Sequence, residues 1–249
     1  MIPIKSEKEI QIMAENGKIL ASIMEELKKR VEPGISTQEL NRVAETLILN
    51  SEGKPSFKEY DGFPATLCTS INEEIVHGIP SKRKLKNGDI LSLDLGMKRN
   101  GFHIDMAITL PVGEVDPEVK RLVRITKKVL KIGIKKTKIG NTINDIGNTI
   151  QRYVESQGFN VIRDLCGHGI GKELHEEPKI LNYGKRHTGF KIKQGMVFCL
   201  EPMVTMGDWK IKKTKDGFGY ETTDGSLSAH FEHTIVVTKH GVKVLTEMC

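Results

Sequence analysis

The sequence predicts an α+β domain made of two half-domains of one plan, related by a pseudo-twofold axis, around a central antiparallel sheet flanked by helices. Three observations carry that expectation. Residues 89–94 (Asp-Ile-Leu-Ser-Leu-Asp) and 196–201 (Met-Val-Phe-Cys-Leu-Glu) are apolar runs launched by Asn87-Gly88 and Gln194-Gly195, and in each a carboxylate closes the run six residues after the glycine. Upstream, Gly34-Ile35-Ser36-Thr37-Gln38-Glu39-Leu40 parallels Gly140-Asn141-Thr142-Ile143-Asn144-Asp145-Ile146 at an offset of 106 residues, against 107 for the runs. Between these landmarks fall His77-Gly78-Ile79 and His168-Gly169-Ile170.

Each half is therefore expected to give a helix, a histidine loop and a strand, with halves at roughly 1–120 and 121–249 of a single catalytic domain. Two copies are too few for a solenoid. A chain of 249 residues with 38% hydrophobic content is long enough for one sizeable core.

The elements follow in order. Residues 7–27 carry Ile10, Met13, Ile19, Leu20, Ile23, Met24 and Leu27 near helical spacing, which predicts an amphipathic opening helix. After Pro33-Gly34, Ser36 or Thr37 can cap a second helix whose buried face is Leu40, Val43, Ala44, Leu47 and Ile48. The two apolar runs above are the buried strands.

Composition excludes several classes. Cys68, Cys166, Cys199 and Cys249 are scattered without a C-x-x-C pair, so neither a disulfide framework nor a thiolate zinc site is indicated, and a reducing, cytoplasmic setting fits. The first twenty residues mix Lys, Glu and Gln with apolar residues and contain no signal-peptide core. No 18-residue apolar run suggests a membrane span. The net charge of +6 is spread along the chain, and its densest clusters, residues 81–86 and 210–215, read as solvated loops or hairpins. Specific nucleic-acid binding is not expected, although weak ribosome association is compatible with the charge.

The chemistry lies in carboxylates at unusual places. Asp94 and Glu201 sit in apolar strands, while Asp105 and Glu232 directly precede the apolar runs 106–110 and 233–237. A buried carboxylate must be paired or bound to metal. Four together repel one another unless cations neutralise them, and two divalent ions bring four positive charges. Bridging by Asp105 and Glu232 would set the ions ~3.5–4 Å apart. His168, flanked by glycines in residues 166–171, suits a metal-bound imidazole. Such an oxygen-rich sphere accepts Co, Mn, Fe or Zn, so the native ion is left open.

Competing motifs fail on count. A dinucleotide fingerprint starting at Gly167 meets Lys172 where glycine is required, and a Walker A loop ending in Gly171-Lys172 would need glycine at Cys166 and Ser or Thr at Glu173. His175-Glu176-Glu177-Pro178 lacks the second histidine of a zinc helix. His77 and His175 lie on loops that the two-half plan turns toward the carboxylates; from the residues alone each is as readily structural as functional.

Taken together, residues 72–80 (Asn-Glu-Glu-Ile-Val-His-Gly-Ile-Pro), Asp94 with Asp105, residues 166–171, 175–178, 200–203 and 228–237 resemble the bacterial type I methionine aminopeptidase family almost end to end. The resemblance implies the pita-bread fold and hydrolysis of the N-terminal methionine from nascent proteins and peptides, with a small second residue preferred. It implies that Asp94 chelates one ion, His168 and Glu201 the other, and that Asp105 and Glu232 bridge both. A hydroxide held by the two ions would be the nucleophile, with Glu201 as proton shuttle. His175 would polarise the scissile carbonyl and steady the oxyanion, and His77 would hydrogen-bond the scissile amide nitrogen. The free α-amine would bind a metal, so formylated peptides would be refused. The methionine pocket would consist of Phe57, Tyr60, Phe63, Cys68, Leu174 and Phe218; Phe57, Leu174 and Phe218 depart from the residue types of some bacterial members.

The implied partners are the N-terminal segments of nascent polypeptides, with no membrane and with the chain acting as a monomer. An aminopeptidase P or prolidase-like X-Pro peptidase is the nearest alternative. Such proteins usually carry a further N-terminal domain, and this catalytic pattern begins too early for one. A non-catalytic pita-bread peptide-binding protein would have lost its ligands, and all five are present.

Overall fold

A computed structural model describes residues 2–247, so Cys249 lies outside the described residues. The opening helix, α1 (Glu7–Lys28), starts at Ser6, whose hydroxyl and the Glu9 carboxylate form a reciprocal capping box. It buries Met13, Leu20, Ile23, Met24 and Leu27, with Ile10 and Ile19 at the edge of that stripe. For α2 (Thr37–Asn50) the cap is Ser36, and Leu40, Ala44 and Ile48 are fully buried while Val43 and Leu47 are half-buried. Helix α3 (Pro117–Lys136) is not among the predicted elements, because its lysine-rich outer face obscures the buried stripe Val119, Leu122, Ile125 and Val129. A capping box of Thr142 and Asp145 opens α4 (Ile143–Ser156).

The duplication is visible in backbone detail. Ser36 bridges Lys84 and Thr142 bridges Lys191, at the N-caps of α2 and α4. Beside these bridges the Leu85 amide donates to the Ile35 carbonyl and the Ile192 amide to the Asn141 carbonyl, both at 2.9 Å. The histidine parallel does not hold. His168 lies within a strand, Cys166–Gly169, of the main sheet, whereas His77 follows the strand Glu74–Val76 of a separate three-stranded sheet and has a left-handed φ of 59°.

The main sheet has nine strands, antiparallel throughout. Its path runs Lys54–Pro55, Ile90–Arg99, Phe102–Pro111, Glu232–Thr238, Val197–Leu200, Cys166–Gly169 and Glu176–Leu181. Two further strands, Leu67–Ile71 and Gly241–Val244, pair with Ile90–Arg99 and Glu232–Thr238. Thus the central junction, Phe102–Pro111 against Glu232–Thr238, joins one strand from each half.

Two strand ends differ from expectation. The first apolar run continues past Asp94 to Arg99 because Asn100 and Gly101, both at positive φ, supply a two-residue hairpin turn. The second ends at Leu200, so Glu201 stands just beyond the strand rather than inside it. The larger cluster of buried side chains runs from Met13 to Leu245 through both halves, and a smaller one gathers Ile75, Val76, Ile162 and Met203. The basic segment 210–215 contains the hairpin strand Ile211–Lys213, paired with Tyr220–Thr222. No helix among the described residues is long and apolar enough to cross a membrane.

Candidate metal centre

Strand register explains how residues far apart in sequence meet. Asp94 pairs with Ala107, and Ala107 pairs with Glu232, so the two carboxylates lie on one face with a small alanine between them. Asp105 is two residues before Ala107 and shares its face. On the other side His168 pairs with Cys199, two residues before Glu201. Together with His77, His175, Phe57, Tyr60, Phe63, Cys68, Leu174 and Phe218, these five residues line one cavity of about 630 Å³.

Within it, donor atoms of Asp105, His168, Cys199 and Glu232 all lie within 4.8 Å of one another. The Glu201 Oε1 atom is 3.6 Å from Nε2 of His168. Nδ1 of His168 lies 2.9 Å from the Gly169 carbonyl, which can accept only if the proton is on Nδ1; the Nε2 lone pair is then free for a metal.

Electrostatics point the same way. Burial, reinforced by neighbouring carboxylates, pushes Asp105, Glu201 and Glu232 well above the usual carboxylate range, and burial lifts Asp94 to about 6. Burial also holds the His168 imidazole down at about 3, so it is neutral. Asp94 Oδ1, Asp105 Oδ1 and Glu232 Oε1 are buried without any hydrogen-bond partner among the described residues. Oxygens that need positive charge, beside one unprotonated imidazole nitrogen, fit divalent cations.

The surroundings bring further residues that sequence reasoning did not single out. Cys199 adds a sulfur to the donor cluster; its position two residues before Glu201 was the available signal. His230 is buried with its Nε2 3.6 Å from Glu201 Oε2, and it precedes Glu232 by two, the strand period. Lys5 forms a buried ion pair with Glu176, next to His175. The Tyr60 hydroxyl lies 2.8 Å from Nδ1 of His175, and the His175 and His168 rings meet edge to face with centroids 4.4 Å apart. Phe63 and Phe218 pack edge to face across the apolar end of the cavity at 5.7 Å.

A set of carboxylates and one imidazole whose chemistry fits divalent cations, on the seam of a duplicated fold, is the kind of site a metallopeptidase carries, and the family match gives that class. The chain belongs to metallopeptidase family M24, whose description matches residues 11–239. It is 46% identical to a methionine aminopeptidase of Clostridium perfringens over 246 residues, covering 99% of both chains, and 46% identical to methionine aminopeptidase 1 of Bacillus subtilis, covering 100% of both. The crystal structure of the methionine aminopeptidase from Rickettsia prowazekii superposes with a TM-score of 0.98 at 40% identity, covering 99% of this chain and 100% of that one. An Xaa-Pro dipeptidase from Bacillus anthracis shares the fold at a TM-score of 0.78 and 24% identity, and the match covers only 62% of its length.

Proposed function

We propose that this protein is a methionine aminopeptidase that hydrolyses the N-terminal methionine from polypeptides, preferring a small second residue. The carrying observation is the full-length identity to proteins of that name combined with five cation-seeking side chains inside one apolar-walled cavity. Asp94, Asp105, His168, Glu201 and Glu232 would hold two divalent ions. When bound, such ions supply an acidified water as nucleophile and a Lewis acid for the scissile carbonyl.

The remaining steps fall to the protein. Glu201 takes the proton of the attacking water on a carboxylate oxygen and passes it to the leaving amine nitrogen. His175 donates from Nε2 to the carbonyl oxygen, where negative charge develops. A Tyr60 hydroxyl donating to Nδ1 of His175 would keep the ring proton on Nε2 for that task. His77 hydrogen-bonds the scissile amide nitrogen. Phe57, Tyr60, Phe63, Cys68, Leu174 and Phe218 enclose the methionine side chain, whose flexible thioether suits a pocket of aromatic and aliphatic walls.

Residues 1–249 are read as one catalytic domain, with halves at roughly 1–120 and 121–249. The protein would work as a cytoplasmic monomer on nascent chains, with its basic surface available for weak ribosome contact.

Incubating metal-loaded protein with Met-Ala-Ser and with X-Pro peptides tests the proposal. Release of methionine from the first alone, abolished by a chelator, is the expected result. Proline-dependent cleavage would transfer the chain to the X-Pro peptidases, and no cleavage with Co, Mn, Fe or Zn would overturn an enzymatic role.

A further inference from the structure

The Glu201 carboxylate stands between two imidazoles. Nε2 of His168 stands 3.6 Å from Oε1, and Nε2 of His230 stands 3.6 Å from Oε2. The two rings differ in setting. His168 lines the cavity, whereas His230 lies behind it, 1% exposed, and neither of its ring nitrogens has a hydrogen-bond partner among the described residues. Burying an imidazole N–H without an acceptor is costly, so the carboxylate oxygen 3.6 Å from Nε2 acquires significance.

The backbone of His230 is anchored at Thr109. Its amide donates to the Thr109 hydroxyl at 2.8 Å, and its carbonyl accepts from that hydroxyl at 2.7 Å. The residue pairs with Met203, two positions beyond Glu201, in the strand pair Met203–Thr205 with Ser228–His230. The ring is thus carried by a strand of the small sheet, and the carboxylate it faces by the two-residue link that leads into the neighbouring strand.

We propose that His230 is a positioning residue for Glu201: in its Nε2–H tautomer it presents that N–H to Oε2 across 3.6 Å and holds the carboxylate electrostatically, with Oε1 turned toward the ion shared with His168. The proposal rests on the reading of Glu201 as a metal ligand. Outer partners of this kind fix the rotamer of a metal-binding carboxylate, and losing one typically weakens metal binding about 10–100-fold. Because His230 sits outside the cavity wall, it does not touch the peptide.

Metal-stripped wild type, His230→Gln, His230→Met and Glu201→Gln are titrated calorimetrically with Mn²⁺, and kcat and KM are measured on Met-Ala-Ser. Gln keeps an N–H donor, while Met fills a similar volume without one. His230→Met should weaken Mn²⁺ binding at least about tenfold and lower kcat with KM unchanged, and His230→Gln should restore most of both. Equal behaviour of Gln and Met, or wild-type affinity in both, would overturn the proposal. If His230→Met does not fold, ¹⁵N NMR of the wild-type imidazole decides: the Nε2–H tautomer is expected, and the Nδ1–H tautomer would refute it. Unchanged Mn²⁺ affinity in Glu201→Gln would instead overturn the ligand assignment underneath and take His230 with it, so the two failures are distinguishable.

Discussion

The hydroxyl of Tyr60 and Nδ1 of His175 lie 2.8 Å apart, and they come from opposite halves of the chain. This contact fixes the ring whose other nitrogen faces the cavity. It ties the short 3₁₀ turn Tyr60–Gly62 to the loop preceding the strand Glu176–Leu181.

His175→Ala should therefore slow turnover about 10²–10³-fold, the usual cost of one lost oxyanion donor, while Mn²⁺ occupancy stays at wild-type level. Tyr60→Phe should give a smaller loss in the same direction. Steady-state kinetics beside metal analysis check both; loss of metal with normal turnover after reloading would rule out the role given to His175.

The Lys5–Glu176 ion pair is almost fully buried, at 5% and 10% side-chain exposure. The same carboxylate accepts from the Lys172 amide at 2.8 Å, so it organises the turn that carries Leu174 and His175. Lys5→Met strands that charge and should cost about 3–5 kcal/mol. Lys5→Met with Glu176→Gln removes both charges and should recover part of the loss. Urea unfolding of wild type, Lys5→Met, Glu176→Gln and the double variant measures the coupling, and additive single effects would contradict it.

Metal removal should produce a pH dependence of defined sign. Unfolded carboxyls ionise near pH 4, whereas burial holds Asp94 to about 6 and Asp105, Glu201 and Glu232 well above their ordinary values. The folded, stripped protein then binds more protons than the unfolded chain. The contribution of these four groups to its stability is present in full below about pH 4 and is lost as pH rises through these values. Melting temperature of the stripped protein should fall between about pH 5 and pH 8, and excess Mn²⁺ should flatten the slope; a flat or rising curve without metal would be inconsistent with it.

Asp145 shows the opposite sign. Hydrogen bonds from the Thr142 amide at 2.8 Å and the His187 amide at 3.1 Å hold its carboxyl down at about 2. Its contribution is present above about pH 4 and lost as pH falls through about 2. Asp145→Ala should cost about 1–2 kcal/mol at neutral pH, read from urea unfolding, and Glu39→Ala at the matching cap should cost less, because Glu39 bonds only Ser36.

Much of this protein was legible in the chain itself. Asp94 and Glu201 stand out because a carboxylate inside an apolar run requires compensation, and the 106- and 107-residue offsets reveal the duplication because repeated turn and cap residues persist in order. Helices α1 and α2 follow from local periodicity and from serine caps whose partner is three residues away.

Tertiary structure alone decided which other atoms surround those carboxylates. Cys199 joins the donor cluster, His230 backs Glu201, and Lys5 meets Glu176 across 171 residues, through contacts that no local period encodes. Strand register decided it as well: Asp94 and Glu232 share a face only because both strands pair with Ala107. Local propensity acts over a few residues, whereas a metal centre is assembled by hydrogen-bonded register between strands distant in sequence.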